Sequence, residues 1–131
     1  MTRHRILVVD DRPSIVEVLR LFLQMRGYET REAFNGNQAL AAMRKERPDL
    51  VLLDLVIPER TGFEVLRIMK EDPELRSIPV IVMTARSEVG DLPAAGLEGA
   101  SGLIKKPFDL EEVADAIAGT LARAGVREAG A

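Results

Sequence analysis

Four short apolar runs each end on a residue able to do chemistry. Ile6-Leu7-Val8-Val9 runs into Asp10-Asp11, Leu50-Val51-Leu52-Leu53 into Asp54, Val80-Ile81-Val82-Met83 into Thr84, and Leu103-Ile104 into Lys105-Lys106. Runs this short, rich in Val, Ile and Leu and without polar alternation, predict strands buried on both faces, as in a parallel sheet. All strands of such a sheet end along one edge, the edge at which open α/β folds bind ligands. The pattern therefore predicts that three carboxylates, a hydroxyl and an ammonium meet in one crevice.

The 131 residues and 47% apolar content suit one domain with one core. Eighteen basic against 21 acidic side chains give a net charge of -3 with no basic block. Direct nucleic-acid binding is therefore not expected, and small ligands or protein partners are. The absence of cysteine excludes a disulfide framework and a thiolate zinc site. The polar opening Met1-Thr2-Arg3-His4-Arg5 and the lack of a long apolar stretch predict neither a signal peptide nor a membrane span, hence a cytoplasmic protein. His4 is expected to be a solvated N-terminal residue without a partner.

Between the strands the apolar period becomes helical. Ile15, Val18, Leu19, Phe22 and Leu23 share one face after Pro13, a residue suited to a first helical turn, and Gly27 ends the segment. Tyr28 to Ala33 is a weaker strand with three charges, as expected near a sheet edge. Asn35 caps a helix carrying Leu40 and Met43 and running to Pro48; Phe63, Leu66 and Met69 mark another after Gly62. Asp109 caps the last, with Glu112 as its capping partner and Leu110, Val113, Ile117 and Leu121 facing inward. Five βα units in succession imply right-handed crossovers and helices on both faces of the sheet.

Two carboxylates about 4 Å apart repel by roughly 4 kcal/mol at an effective dielectric near 20. Asp10, Asp11 and Asp54 together therefore take up a proton or hold a cation. Oxygen donors without His or Cys select a hard ion such as Mg²⁺. A magnesium site beside a lysine and a hydroxyl suits a phosphoryl group: the metal and Lys106 neutralise its oxygens, and Thr84 donates a hydrogen bond. A carboxylate can also be the nucleophile, forming an aspartyl phosphate. Asp54 is the better candidate, because it stands alone on the expected central strand. Taken singly, each residue has a plainer reading: an Asp pair that caps a helix, a strand-end hydroxyl, a surface lysine, as Lys105 is expected to be. Their coincidence at successive core-strand ends favours a site.

The chain resembles the receiver domain of two-component response regulators over residues 4 to about 123, and is similar to the stand-alone chemotaxis-type regulator. The resemblance rests on Val8-Val9-Asp10-Asp11, on Asp54 followed by Pro58 and Gly62, on Thr84-Ala85, on Gly99-Ala100 and on Lys106-Pro107-Phe108. It implies a flavodoxin-like (βα)5 three-layer sandwich with a parallel sheet of order 2-1-3-4-5, a receiver domain over 1–124 and a short polar tail over 125–131. It implies that Asp54 accepts a phosphoryl group from a histidine kinase or a histidine phosphotransfer protein. Asp11, Asp54 and the backbone carbonyl of Val56 would bind Mg²⁺ directly and Asp10 through water, while Thr84 and Lys106 would bind the phosphoryl oxygens. The Lys106-Pro107 bond would be cis, an isomer found in about 5% of X-Pro bonds. Such a protein is not an enzyme acting on other molecules, but takes phosphate from small donors and loses it by its own hydrolysis. Two alternatives are a receiver-like interaction module that is never phosphorylated and a haloacid-dehalogenase-type phosphatase. The latter places its second Asp two residues after the first and usually carries a cap domain, whereas here the acids Asp10 and Asp11 are adjacent and the chain is short.

Two positions that govern hydrolysis in the family carry Val56, which cannot hydrogen-bond water, and Arg86, which can cover the phosphoryl group; slow self-dephosphorylation is expected. Leu103 stands where many receivers place an aromatic switch residue. The segment Glu88 to Gly96 is poor helix material, so a short helix starting near Asp91 is expected, with 86–98 the most mobile stretch. If the chain is complete it is a stand-alone receiver whose output is contact with a downstream protein. It would be a monomer or a weak dimer through the face of the fourth helix, fifth strand and fifth helix.

Overall fold

The computed structural model describes residues 3–85 and 99–125. In chain order the elements are β1 (Arg5–Val9), α1 (Pro13–Met25), β2 (Glu29–Ala33), α2 (Gly36–Lys45), β3 (Leu50–Asp54), α3 (Gly62–Glu71), β4 (Val80–Ala85), β5 (Gly102–Lys106) and α4 (Leu110–Arg123). The strands form one sheet in the order β2-β1-β3-β4-β5, with every neighbouring pair parallel. The short helix expected near Asp91, the mobility expected of 86–98 and Arg86 lie outside the described residues. So does the expected tail apart from Gly125.

Successive strand side chains point to opposite faces, and the core divides accordingly. Leu7, Val9, Val51, Leu53, Val80 and Val82 pack with Ala39, Leu40 and Met43 of α2 and Val65, Leu66 and Met69 of α3. Ile6, Val8, Leu50, Leu52, Ile81, Met83 and Ile104 pack on the other face with Val16, Leu19 and Leu23 of α1 and Val113, Ile117 and Leu121 of α4. Three layers result. β1 and β3 lack polar alternation because both of their faces are covered, whereas the edge strands β2 and β5 alternate between buried and exposed positions.

The helix boundaries follow local chemistry. Pro13 opens α1, and Gly27 lies just beyond its end at φ 91°, a conformation that costs a glycine little. Asn35 caps α2 by accepting from the backbone N–H of Gln38 at 2.8 Å. The helix ends at Lys45 rather than at Pro48, because Glu46 is already extended. Thr61, unremarked in the sequence, caps α3 by accepting from Glu64 N–H at 3.3 Å. Asp109 caps α4, but its side chain accepts from Glu111 N–H at 2.9 Å, so the partner is Glu111 rather than Glu112. His4 also departs from its expectation: it is half-buried and interacts with its surroundings, and its carbonyl accepts from Glu29 N–H at 2.9 Å.

Candidate functional site

The carboxyl ends of the neighbouring strands β1 and β3 bring the acidic residues together. Asp10 follows β1 and Asp54 closes β3, which pairs with β1 on one side and β4 on the other. One carboxylate oxygen from each of Asp10, Asp11 and Asp54 lies within 4.8 Å of the other two. Asp10 and Asp54 are buried, while Asp11 is exposed. Asp10 is held by the turn that follows it, its Oδ1 accepting from the backbone N–H of Arg12 at 3.0 Å. Asp54 is held in the same way, its Oδ1 accepting from Val56 N–H at 3.2 Å.

Lys106 reaches this cluster from the end of β5, two strands away from Asp54. Its ammonium donates to Asp10 Oδ2 at 2.6 Å and to Asp54 Oδ2 at 3.2 Å. All three side chains are at least nine-tenths buried. A buried cation between two buried carboxylates offsets their repulsion and the cost of removing them from water. Neighbouring Lys105 is exposed, as expected. Thr84 lies fully buried at the end of β4, one residue beyond the Met83 that pairs with Asp54. The Lys106-Pro107 bond is cis.

Burial raises the pKa of Asp54 above the ordinary carboxylate value, opposed by the Val56 N–H and by Lys106 and reinforced by Asp10. A carboxylate held this way is more basic than one in water and better suited to attack an electrophile. The donor set also fits a hard divalent ion. Opposite oxygens of an octahedral Mg²⁺ shell lie about 4 Å apart, close to the spread of these three carboxylates, and the exposed Asp11 leaves a side open to water.

Two glycines set the close packing at the end of β3 and along the loop that leaves it. A Cβ at Gly62, the first residue of α3, would lie 2.5 Å from the carbonyl oxygen of Asp54 and 2.6 Å from Leu55 Cα. A Cβ at Gly36, the first residue of α2, would lie 2.2 Å from Arg60 O, so the N-terminus of α2 rests directly on the loop that leaves β3. That contact is fastened by Gly36 N–H to Pro58 O at 3.2 Å and by Arg60 Nε to Asn37 Oδ1 at 2.9 Å. Within the loop Glu59 adopts φ 71°, unusual outside glycine. The Gly62 spacing is visible in the sequence, whereas the Gly36 to Arg60 contact has no signal there, because it joins the start of α2 to a loop distant along the chain.

Residues 6–118 match the model of the response regulator receiver domain. The chain is 44% identical over 117 residues to sporulation initiation phosphotransferase F of Bacillus subtilis, covering 89% of this chain and 93% of that one. It is 41% identical over 122 residues to the DNA-binding response regulator MtrA of Mycolicibacterium smegmatis; this covers 92% of the chain but 52% of MtrA, so the chain spans about half of that relative. Among solved structures, the signal receiver domain of a signal transduction histidine kinase from Syntrophus aciditrophicus superposes with a TM-score of 0.85 at 33% identity, covering 98% of this chain and 97% of that one. A CheY-like response regulator receiver domain protein from Methanospirillum hungatei gives 0.83 at 26% identity, covering 95% and 98%. A parallel sheet of order 2-1-3-4-5 with an acidic cluster at its carboxyl edge agrees with these matches, and the chain belongs to the response regulator receiver domain family of two-component signalling.

Proposed function

We propose that Asp54 is the phosphoacceptor of this receiver domain and that its phosphorylation requires Mg²⁺. The observation that carries this reading is the ammonium of Lys106, buried between Asp10 and Asp54 at the carboxyl edge of the sheet. An Asp54 oxygen attacks the phosphorus of a phosphohistidine on a histidine kinase or phosphotransfer protein. The P–O bond forms as the P–N bond breaks, and the departing imidazole keeps the electron pair and takes a proton from solvent. Asp10, Asp11, Asp54 and the Val56 carbonyl would hold Mg²⁺, which would supply charge neutralisation for the transferring group. Lys106 exchanges its carboxylate contact for a phosphoryl oxygen, and Thr84 donates to another.

The same chemistry with a small donor such as acetyl phosphate gives self-phosphorylation, and attack by water on the aspartyl phosphate gives self-dephosphorylation. Val56, 58% exposed beside the acceptor, offers that water no hydrogen bond, so hydrolysis is slow. Output passes to a downstream protein, or to a second copy in a weak dimer, through a surface that includes β5. Leu103, 42% exposed on β5, stands there in place of a larger switch residue. Among the described residues no helix is long and apolar enough to cross a membrane, and the chemistry suits a cytoplasmic protein that meets its donor there.

The reading is tested by incubating the protein with acetyl phosphate and measuring intact mass. Gain of one phosphoryl group with Mg²⁺, lost in Asp54→Asn and in excess chelator, supports it. Incorporation that persists in either control overturns it, as does none in the wild type.

A further inference from the structure

A cleft of about 450 Å³ lies beside the acidic cluster, lined by Arg12, Ile15, Ala85, Lys106, Pro107 and Phe108. Its walls are mostly apolar and it carries two cations. Lys106 is buried and engaged with Asp10 and Asp54. Arg12 is the exposed one, its side chain 57% accessible.

Ordinary structural duties do not account for the Arg12 side chain. It is the N-cap residue of α1 but makes no capping hydrogen bond. Its ion pair is a long one, Nε 3.7 Å from Asp10 Oδ1, and that oxygen already accepts from Arg12's own backbone N–H at 3.0 Å. A half-exposed pair at this distance contributes little to stability. The guanidinium presents five N–H donors in a fork suited to phosphate, and it faces a cleft whose apolar walls reduce screening.

We propose that Arg12 is a specificity-determining residue that selects phosphodonors by their charge, receiving a dianionic donor in this cleft more favourably than a monoanionic one. The inference rests on the phosphoacceptor reading of Asp54. Any donor must bring a negative phosphoryl group towards Asp10, Asp11 and Asp54. Lys106 and a metal ion answer the charge at the point of transfer, whereas Arg12 acts on the donor as it enters. Coulombic attraction to one cation is twice as large for a dianion as for a monoanion at the same place, so the effect of Arg12 must differ between donors.

The test compares the initial rates at which Asp54 is phosphorylated by acetyl phosphate, a dianion at neutral pH, and by phosphoramidate, a monoanion. Wild type, Arg12→Gln, Arg12→Glu and Arg12→Lys are each measured at Mg²⁺ saturating by that variant's own calorimetric titration. Arg12→Glu is expected to slow acetyl phosphate about tenfold and phosphoramidate about threefold, with Arg12→Gln between it and wild type. Arg12→Lys keeps most of the wild-type preference, and the difference between donors shrinks near 1 M salt, where screening acts within about 3 Å. Equal changes for both donors, or none, overturn the proposal. Failure of wild type to be labelled by either donor removes the phosphoacceptor reading itself.

Discussion

The ammonium nitrogen of Lys106 lies 2.6 Å from Asp10 Oδ2, although 96 residues separate the two in sequence and their strands are not neighbours in the sheet. The contact spans the carboxyl edge above β3 and β4 and also takes in Asp54 at 3.2 Å. Lys106 therefore neutralises the two buried carboxylates, and on the proposed reading it also receives an oxygen of the incoming phosphoryl group.

Removing that cation leaves two buried carboxylates facing each other. In chelator, Lys106→Ala is expected to lower the unfolding free energy by about 3 kcal/mol, the scale for breaking a buried ion pair. Added Mg²⁺ should recover part of the loss, since the ion supplies the missing positive charge. Denaturant unfolding with and without Mg²⁺ measures both effects, and a variant as stable as wild type in chelator would contradict this role.

Burial raises the folded-state pKa of Asp54, so the site is most favourable to folding when that carboxyl is protonated. The favourable contribution is fully present below the ordinary carboxylate pKa and is lost as pH rises through the elevated value. In metal-free buffer at neutral pH, Asp54→Asn is therefore expected to melt higher than wild type. The advantage should disappear as pH falls below the ordinary carboxylate range. Thermal scans across that range check the sign; a variant that melts lower at neutral pH would show that the carboxylate is stabilising there.

Much of this arrangement was legible because parallel strands turn sequence pattern into position. Unalternated apolar runs at 6–9, 50–53 and 80–83 identify strands covered on both faces, and whatever follows them falls on one edge. Asp10, Asp54, Thr84 and Lys106 are readable for that reason. Packing between loops was not legible: nothing in the chain foretells that Gly36 rests on Arg60 or that Lys106 bridges both acids. The end of α2 was misplaced because Pro48 is the visible breaker, whereas the chain already turns extended at Glu46. Thr61 was missed beside the more conspicuous Gly62, although a Thr three residues before Glu64 is a capping pattern.

Gly62→Ala would force a Cβ against the backbone of Asp54 and Leu55. It is expected to cost about 1–3 kcal/mol of stability, the range for overpacking, and to weaken Mg²⁺ binding because the strain falls on the acceptor strand end. Calorimetric titration with Mg²⁺ beside thermal melting separates the two effects. Unchanged Mg²⁺ affinity would place the strain elsewhere.

Val56 is exposed next to Asp54, the proposed acceptor, and its side chain has no group to hold water. Val56→Asn supplies a side-chain amide able to orient an attacking water, and the aspartyl phosphate is expected to decay several-fold faster. Decay is followed by loss of label after removal of the donor; an unchanged or slower rate would place control of hydrolysis at another residue.

On the proposed reading Asp54 accepts the phosphoryl group within a carboxylate cluster that holds Mg²⁺. The most direct measurement is site-localised mass spectrometry of the protein treated with acetyl phosphate and then borohydride, which reduces an acyl phosphate to the alcohol and marks the acceptor. The mark is expected at Asp54 in the presence of Mg²⁺ and is absent in chelator. A mark at Asp10 or Asp11 instead, or one formed equally without the metal, would contradict that reading.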